Sequence, residues 1–126
     1  MSVAYEIPSF FVGVLAAGSD FSSEAADQFV AMDVGAGETA VLPLAGAPVL
    51  GICQHNPVAG EAVQIMVAGV SKAKIAGTVA AGDLLMTNSA GKLLLATTGN
   101  HAIAKAMQAG VSGDVVAVLL KSYGKV

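Results

Sequence analysis

A chain of 126 residues that is 55% hydrophobic and only 12% charged can build one domain around a real core, and it is too apolar to be disordered. Its net charge is −3, and its six basic residues are all lysine (Lys72, Lys74, Lys92, Lys105, Lys121, Lys125), which argues against nucleic-acid binding through backbone phosphates. The lone cysteine, Cys53, excludes an intrachain disulfide and a cysteine-built metal centre, and it suits a reducing cytoplasm. With 24 alanines and 15 glycines, so small a domain is expected to bury part of its apolar surface against other subunits or a larger partner.

The first 27 residues hold Tyr5 and three of the four phenylalanines (Phe10, Phe11, Phe21) without alternation. They read as an extended N-terminal arm that packs back onto its own domain or anchors in a neighbour. Within them IPSFFVGVLAAGS (7–19) looks like a signal-peptide core, but Glu6 stands where such a segment carries positive charge, which disfavours secretion.

From about Gln28 onward, apolar runs of four to eight residues alternate with glycine, proline and asparagine turns. Strands are predicted near 28–33, 39–43, 48–54, 62–67, 70–76, 84–87, 92–97, 102–108 and 114–121. The stretch 39–60 is uncharged, yet Pro43, Pro48 and Pro57 break it, so no membrane span is expected. Residues 102–109 are alanine-rich and could be helical by propensity. The predicted fold is all-β: a small barrel or sandwich of about nine short strands in a core domain, 28–126, preceded by the arm, 1–27.

The core domain repeats itself. Sliding the chain by 53 aligns GAPVLGICQHNPVAGEAVQIMV (46–67) with GNHAIAKAMQAGVSGDVVAVLL (99–120) without a gap. Gly46/Gly99, Val58/Val111, Gly60/Gly113 and Val63/Val116 are identical, and Glu61/Asp114 is conservative. A shift of one residue carries the match back to Met32/Met86 and Gly37/Gly91. An internal two-fold pseudo-repeat, near 29–67 and 83–120, is expected, with VSKAKIAG (70–77) and the residues before 28 outside it.

Candidate chemistry is sparse. Cys53 and His55 share a strand face and could form a thiolate–imidazole pair. No orienting acid stands near them and His101 is distant in sequence, so a buried structural cysteine is the stronger reading. Glu38, Glu61, Asp83 and Asp114 each open a strand just after a small-residue–glycine turn. There a carboxylate stays in water or bonds the turn backbone, which weighs against a metal or acid–base cluster. Both GVLAAGSD and GAGETA lack the Gly-Lys-Ser/Thr ending of a phosphate loop. Lys72 and Lys74 in SKAK read as a solvated or edge-guarding face. Met32, Met66, Met86 and Met107 read as core filler. No enzyme, no catalytic residue, no metal and no cofactor is expected.

The run GICQHNPVAGEAVQIMVAGVSKAKIAGTVAAGDLLMTNSAGKLLLATTGNHAIAKAMQAGVSGDVVAVLL, and the start PSFFVGVLAAGSDFSSEAADQFVAMD, resemble the capsid decoration, or cement, proteins of tailed bacteriophages. The resemblance covers nearly the whole chain; its most specific parts are Gly51 through Asn56-Pro57 to Ala59-Gly60-Glu61, and Ala81-Gly82-Asp83. It implies a β-rich structural virion protein, commonly a homotrimer, that is made in the bacterial host cytoplasm and sits on the outer surface of the head. There it would clamp neighbouring major capsid protein subunits and stabilise the expanded capsid, without nucleic acid, membrane or cofactor. The arm would supply the contacts through Tyr5, Ile7, Phe10 and Phe11, to capsid or sister subunit, so that deleting residues 1–12 weakens capsid binding and leaves the core folded. The alternative is a small β-barrel accessory domain that binds a small molecule or carbohydrate.

Overall fold

Apolar runs bounded by turn residues become strands throughout. The computed structural model describes residues 10–12, 15–23 and 28–126. Its strands are β1 (Phe10–Val12), β2 (Ala16–Ala17), β3 (Ala31–Gly35), β4 (Thr39–Val41), β5 (Gly51–Cys53), β6 (Ile65–Lys74), β7 (Leu84–Thr87), β8 (Leu93–Leu95), β9 (His101–Ala106) and β10 (Val115–Lys125). Among the described residues there is no helix, and the all-β expectation is met. The alanine-rich run forms β9, because Ala102, Ala104 and Ala106 alternate into the core between two partner strands, which outweighs their helix propensity. The two strands expected at 62–67 and 70–76 are one ten-residue strand, β6, that runs through Gly69 at φ 108°.

The strands follow the order β2-β4-β3-β5-β6-β10-β9-β7-β8, with β1 also paired to β6. The path is open, so the barrel half of the fold expectation is corrected to a wrapped, sandwich-like sheet. Among the described residues its free ends are met by isolated bridges, Ala16↔Ala62 beside β2 and Ile75↔Leu93 beside β8, with a few flanking backbone hydrogen bonds, and by no continuous ladder.

The duplication is written into the strand register. Val34↔Ala40 in the first repeat corresponds to Thr87↔Leu93 in the second, and Met32↔Gly51 to Leu85↔Ala104. Ile52↔Met66 and Cys53↔Ile65 correspond to Lys105↔Leu119 and Ala106↔Val118. Every pair keeps the offset of 53. The one-residue shift inferred at Met32/Met86 and Gly37/Gly91 is therefore overturned: Leu85 is the counterpart of Met32, and Glu38 that of Gly91. Glu38 (φ 61°) and Gly91 (φ 79°) both hold the left-handed conformation that the hairpin demands at that position. Gly91 is the glycine because a Cβ there would lie 2.5 Å from the Ala31 carbonyl oxygen.

Each repeat has its own core. Met32, Ala40, Cys53, Val63 and Ile65 fill the amino-terminal one, and their counterparts Leu85, Leu93, Ala106, Val116 and Val118 fill the carboxyl-terminal one. Ala31, Ile52 and Met66 point the opposite way from Met32, Cys53 and Ile65, into the carboxyl-terminal core. The sheet formed by β3, β5 and the start of β6 is thus a shared wall, buried on both faces. That is why Ala31-Met32, Gly51-Ile52-Cys53 and Ile65-Met66 are continuous apolar runs and do not alternate.

Residues 15–23 belong to this architecture. Leu15, Ala17 and Phe21 are buried in the amino-terminal core. The Ala17 N–H donates to the Glu61 carbonyl (2.7 Å) and the Gly60 N–H to the Ala17 carbonyl (2.9 Å); Ile75 makes the same two bonds with Asp114 and Gly113, each at 2.9 Å. So Ala17 and Ile75, both expected to lie outside the duplication, close equivalent corners of the two repeats. The division at residue 27 into arm and core has no counterpart in 15–23.

Candidate functional site

The glycine–acid phrases fold as one turn used three times. In Val58–Glu61, Ala80–Asp83 and Val111–Asp114 the N–H of the acid donates to the carbonyl of the first residue, at 3.1, 3.1 and 3.0 Å. Its carboxylate accepts the first residue's N–H in return, at 2.7, 2.8 and 2.9 Å. Gly60, Gly82 and Gly113 sit third, with φ of 87°, 93° and 94°, as a type II turn requires. Three carboxylates are thereby committed to turn backbone. Replacing Asp114 by Ala is expected to cost about 1 kcal/mol, and Asn to restore most of it, because one exposed hydrogen bond is lost and no buried group is orphaned. A urea-unfolding midpoint for each variant measures this.

The thiol–imidazole pair does not assemble. Cys53 is fully buried and its Sγ donates to the backbone oxygen of His55 (3.0 Å), whereas Nε2 of His55 accepts the N–H of Gln64 (3.0 Å). Both residues are occupied by the end of β5, and His101 begins β9 in the other repeat. Among the described residues no three His, Cys, Asp or Glu side chains come together as metal ligands, and no helix is long and apolar enough to cross a membrane. Met32 and Met66 are buried as expected. Met107 is 52% exposed, since it lies past the end of β9 on the outside of the sheet, and its reading as core filler is corrected.

Of the four residues expected to make contacts, Tyr5 and Ile7 lie outside the described residues. Phe10 and Phe11 enter β1, where their backbone pairs with Ala68 and Met66 of β6. Their strand is therefore part of the sheet, whatever the segment ahead of it touches.

Grooves are modest. One of about 140 Å³, between the Pro48–Gly51 segment and β9–β10, is bordered by Leu50, Val67, Ile103 and Lys121. That is smaller than the roughly 300–1,000 Å³ of small-molecule pockets. Another, about 480 Å³, is an open trough on the sheet surface between Phe29, Lys72 and Val115. Large apolar side chains are displayed on the surface instead: Leu44 is 78% exposed, and Val58, Leu95, Val111 and Val115 between 44% and 55%. The described residues therefore offer exposed surface and no deep enclosed cavity.

A family model described as phage cement protein matches residues 15–121, from the first described core residue, Leu15, into β10. Among curated proteins none matches. Among solved structures, the crystal structure of the head fiber gp8.5 N base in bacteriophage phi29 is similar, with a TM-score of 0.72 and 13% identity. The likeness covers 96% of this chain and 98% of that one, and at that identity it shows a shared fold.

Proposed function

The chain belongs to the phage cement protein family, and from that premise we propose that it is a structural, non-enzymatic component of the phage head that binds the outer surface of the capsid and clamps adjacent major capsid protein subunits. The family match over residues 15–121 carries the reading. The exposed apolar side chains, and carboxylates tied up in turns, support it. A protein that binds only the assembled, expanded lattice stabilises that lattice by mass action, and several weak contacts per assembly add through multivalency. A homotrimer suits the excess of apolar surface and would present each contact three times.

The N-terminal segment is proposed as one such contact, through Tyr5, Ile7, Phe10 and Phe11. Because Phe10–Val12 pair with β6, the informative truncation ends at residue 9 and spares that strand. Mixing the full chain with undecorated heads and sedimenting them should bring the protein down with the heads, and mass measurement should give a trimer of 12.4-kDa chains. Removing residues 1–9 is expected to weaken head binding at least about tenfold, the scale of one aromatic hot spot, with an unchanged melting temperature. Equal binding by the truncated chain would remove Tyr5 and Ile7 from the interface. A chain that never co-sediments with heads would end the cement reading.

A further inference from the structure

The register of the second repeat builds a sheet face whose counterpart in the first repeat is covered. Ala31, Ile52 and Met66 pack against the carboxyl-terminal core and are 0%, 0% and 7% exposed. The offset of 53 maps them onto Leu84, Lys105 and Leu119, which lie side by side in one row with Val70: Val70↔Leu119 across β6–β10, Leu119↔Lys105 across β10–β9 and Leu84↔Lys105 across β7–β9. In this row Leu119 is 37% exposed and Lys105 is exposed, while Val70 and Leu84 are half-buried, against 0–7% for the three counterparts in the first repeat. The next rows on the same face are Lys72↔Ala117, which Met107 extends by donating its N–H to the Ala117 carbonyl (2.9 Å), and Lys74↔Val115. Lys121 is exposed two residues beyond Leu119. Among the described residues these rows bring Lys72, Lys105 and Lys121 together with exposed Val115, Leu119 and Met107 and contain no carboxylate; Lys74 is half-buried, and its ammonium donates to the Gln28 carbonyl.

We propose that this outer face of β6–β10–β9–β7 is the docking surface for an acidic, partly apolar protein surface on the capsid; the inference rests on the cement reading and names where the partner binds. Charge selects the occupant. In the first repeat the position of Lys105 is Ile52, and the cover there is aliphatic. A second copy seated in the same way would bury the Lys105 ammonium without a counter-charge, which is strongly unfavourable. The partner must therefore bring carboxylates. Lys72 and Lys105 are separated by one intervening strand, so these carboxylates stand roughly 10 Å apart on the partner, with apolar contact to Leu119 and Val115 between them. The open trough beside Phe29, where the Lys72 ammonium lies 5.6 Å from the ring centroid, extends the same face.

The test is charge reversal at three exposed positions, Lys72→Glu, Lys105→Glu and Lys121→Glu together, with Lys92→Glu in the β7–β8 turn as the off-face control. Binding to undecorated heads is measured by co-sedimentation at low and raised salt, with melting temperature and solution mass for each variant. The triple variant should keep its fold and mass and bind heads at least about tenfold more weakly, while Lys92→Glu matches the parent and the parent weakens with salt. Undiminished binding by the triple variant overturns the proposal. So does a loss of oligomer mass in that variant, which would make the face a contact between copies. Parent chain that binds a DNA fragment as tightly as heads, through the same lysines, overturns it in favour of nucleic acid. If the parent does not bind heads at all, the cement reading itself has failed and this inference with it.

Discussion

Gly51→Ala should lower the melting temperature by roughly 15 °C, since overpacking against main chain reaches about 4 kcal/mol and a domain of this size loses a few degrees per kcal/mol. Gly51 is buried in β5, opposite Met32, with β6 on its other side. A Cβ placed there would run into the backbone carbonyl of Met66 and come within 2.8 Å of Ile65 Cγ2. The carbonyl cannot rotate away, because Met66 pairs with Ile52 and its neighbour Ile65 with Cys53. Nor can the wall shift as a body, since one of its faces is packed by Cys53 and Ile65 and the other by Ile52 and Met66. The second repeat supplies the comparison. Its counterpart, Ala104, already carries a methyl, so the collision comes from close approach of β5 to β6 and is absent from β9. Ala104→Gly should cost only about 1 kcal/mol, mostly backbone entropy and one lost methyl contact. Calorimetry of both variants gives the contrast; similar losses at the two positions would refute this account of the shared wall.

That wall also marks where the sequence is easy to read and where it is not. Most strands of the core domain are legible because glycine, proline and asparagine turns bound their apolar runs, the exception being Gly69, which lies inside β6 and turns nothing, and the three glycine–acid turns announce their own hydrogen bonds. The duplication is legible in 46–67 against 99–120. Its extension toward Met32 is not, because alanine, glycine and methionine matches there favour a shifted alignment that only strand pairing corrects. β2 is invisible in advance: two alanines carry no strand preference, and Ala16–Ala17 is a strand because β4 and the Gly60–Glu61 corner accept its backbone. The lysine face is hidden for a different reason. Lys72, Lys105 and Lys121 are dispersed over fifty residues and meet only through the register of three strands, although the Ile52-to-Lys105 exchange was already present in the aligned repeats as a sign that the two outer faces meet different surroundings.

Phe21→Ala separates the two views of the amino-terminal segment most sharply, with an expected loss of about 3–4 kcal/mol if Phe21 is core and almost none if it is arm. The ring is 4% exposed and shares the amino-terminal core with Leu15, Val30, Met32 and Ile65. Its backbone is fixed as well. The Phe21 N–H donates to the carbonyl of buried Pro57 (2.8 Å), and the Asn56 side-chain amide donates back to the Phe21 carbonyl (3.2 Å). These bonds hold the main chain in place after truncation, so the site cannot collapse to fill the space and the cavity term is felt nearly in full. Phe21→Leu, which keeps most of the volume, should recover more than half of the loss. The first repeat should loosen ahead of the second, because the carboxyl-terminal core draws nothing from residues 15–23. Hydrogen exchange should therefore show β4 and β2 losing protection while β9 and β10 keep theirs. Uniform loss across both repeats would mean that the shared wall couples the two cores into a single cooperative unit, and a stable Phe21→Ala protein would return residues 15–23 to the arm.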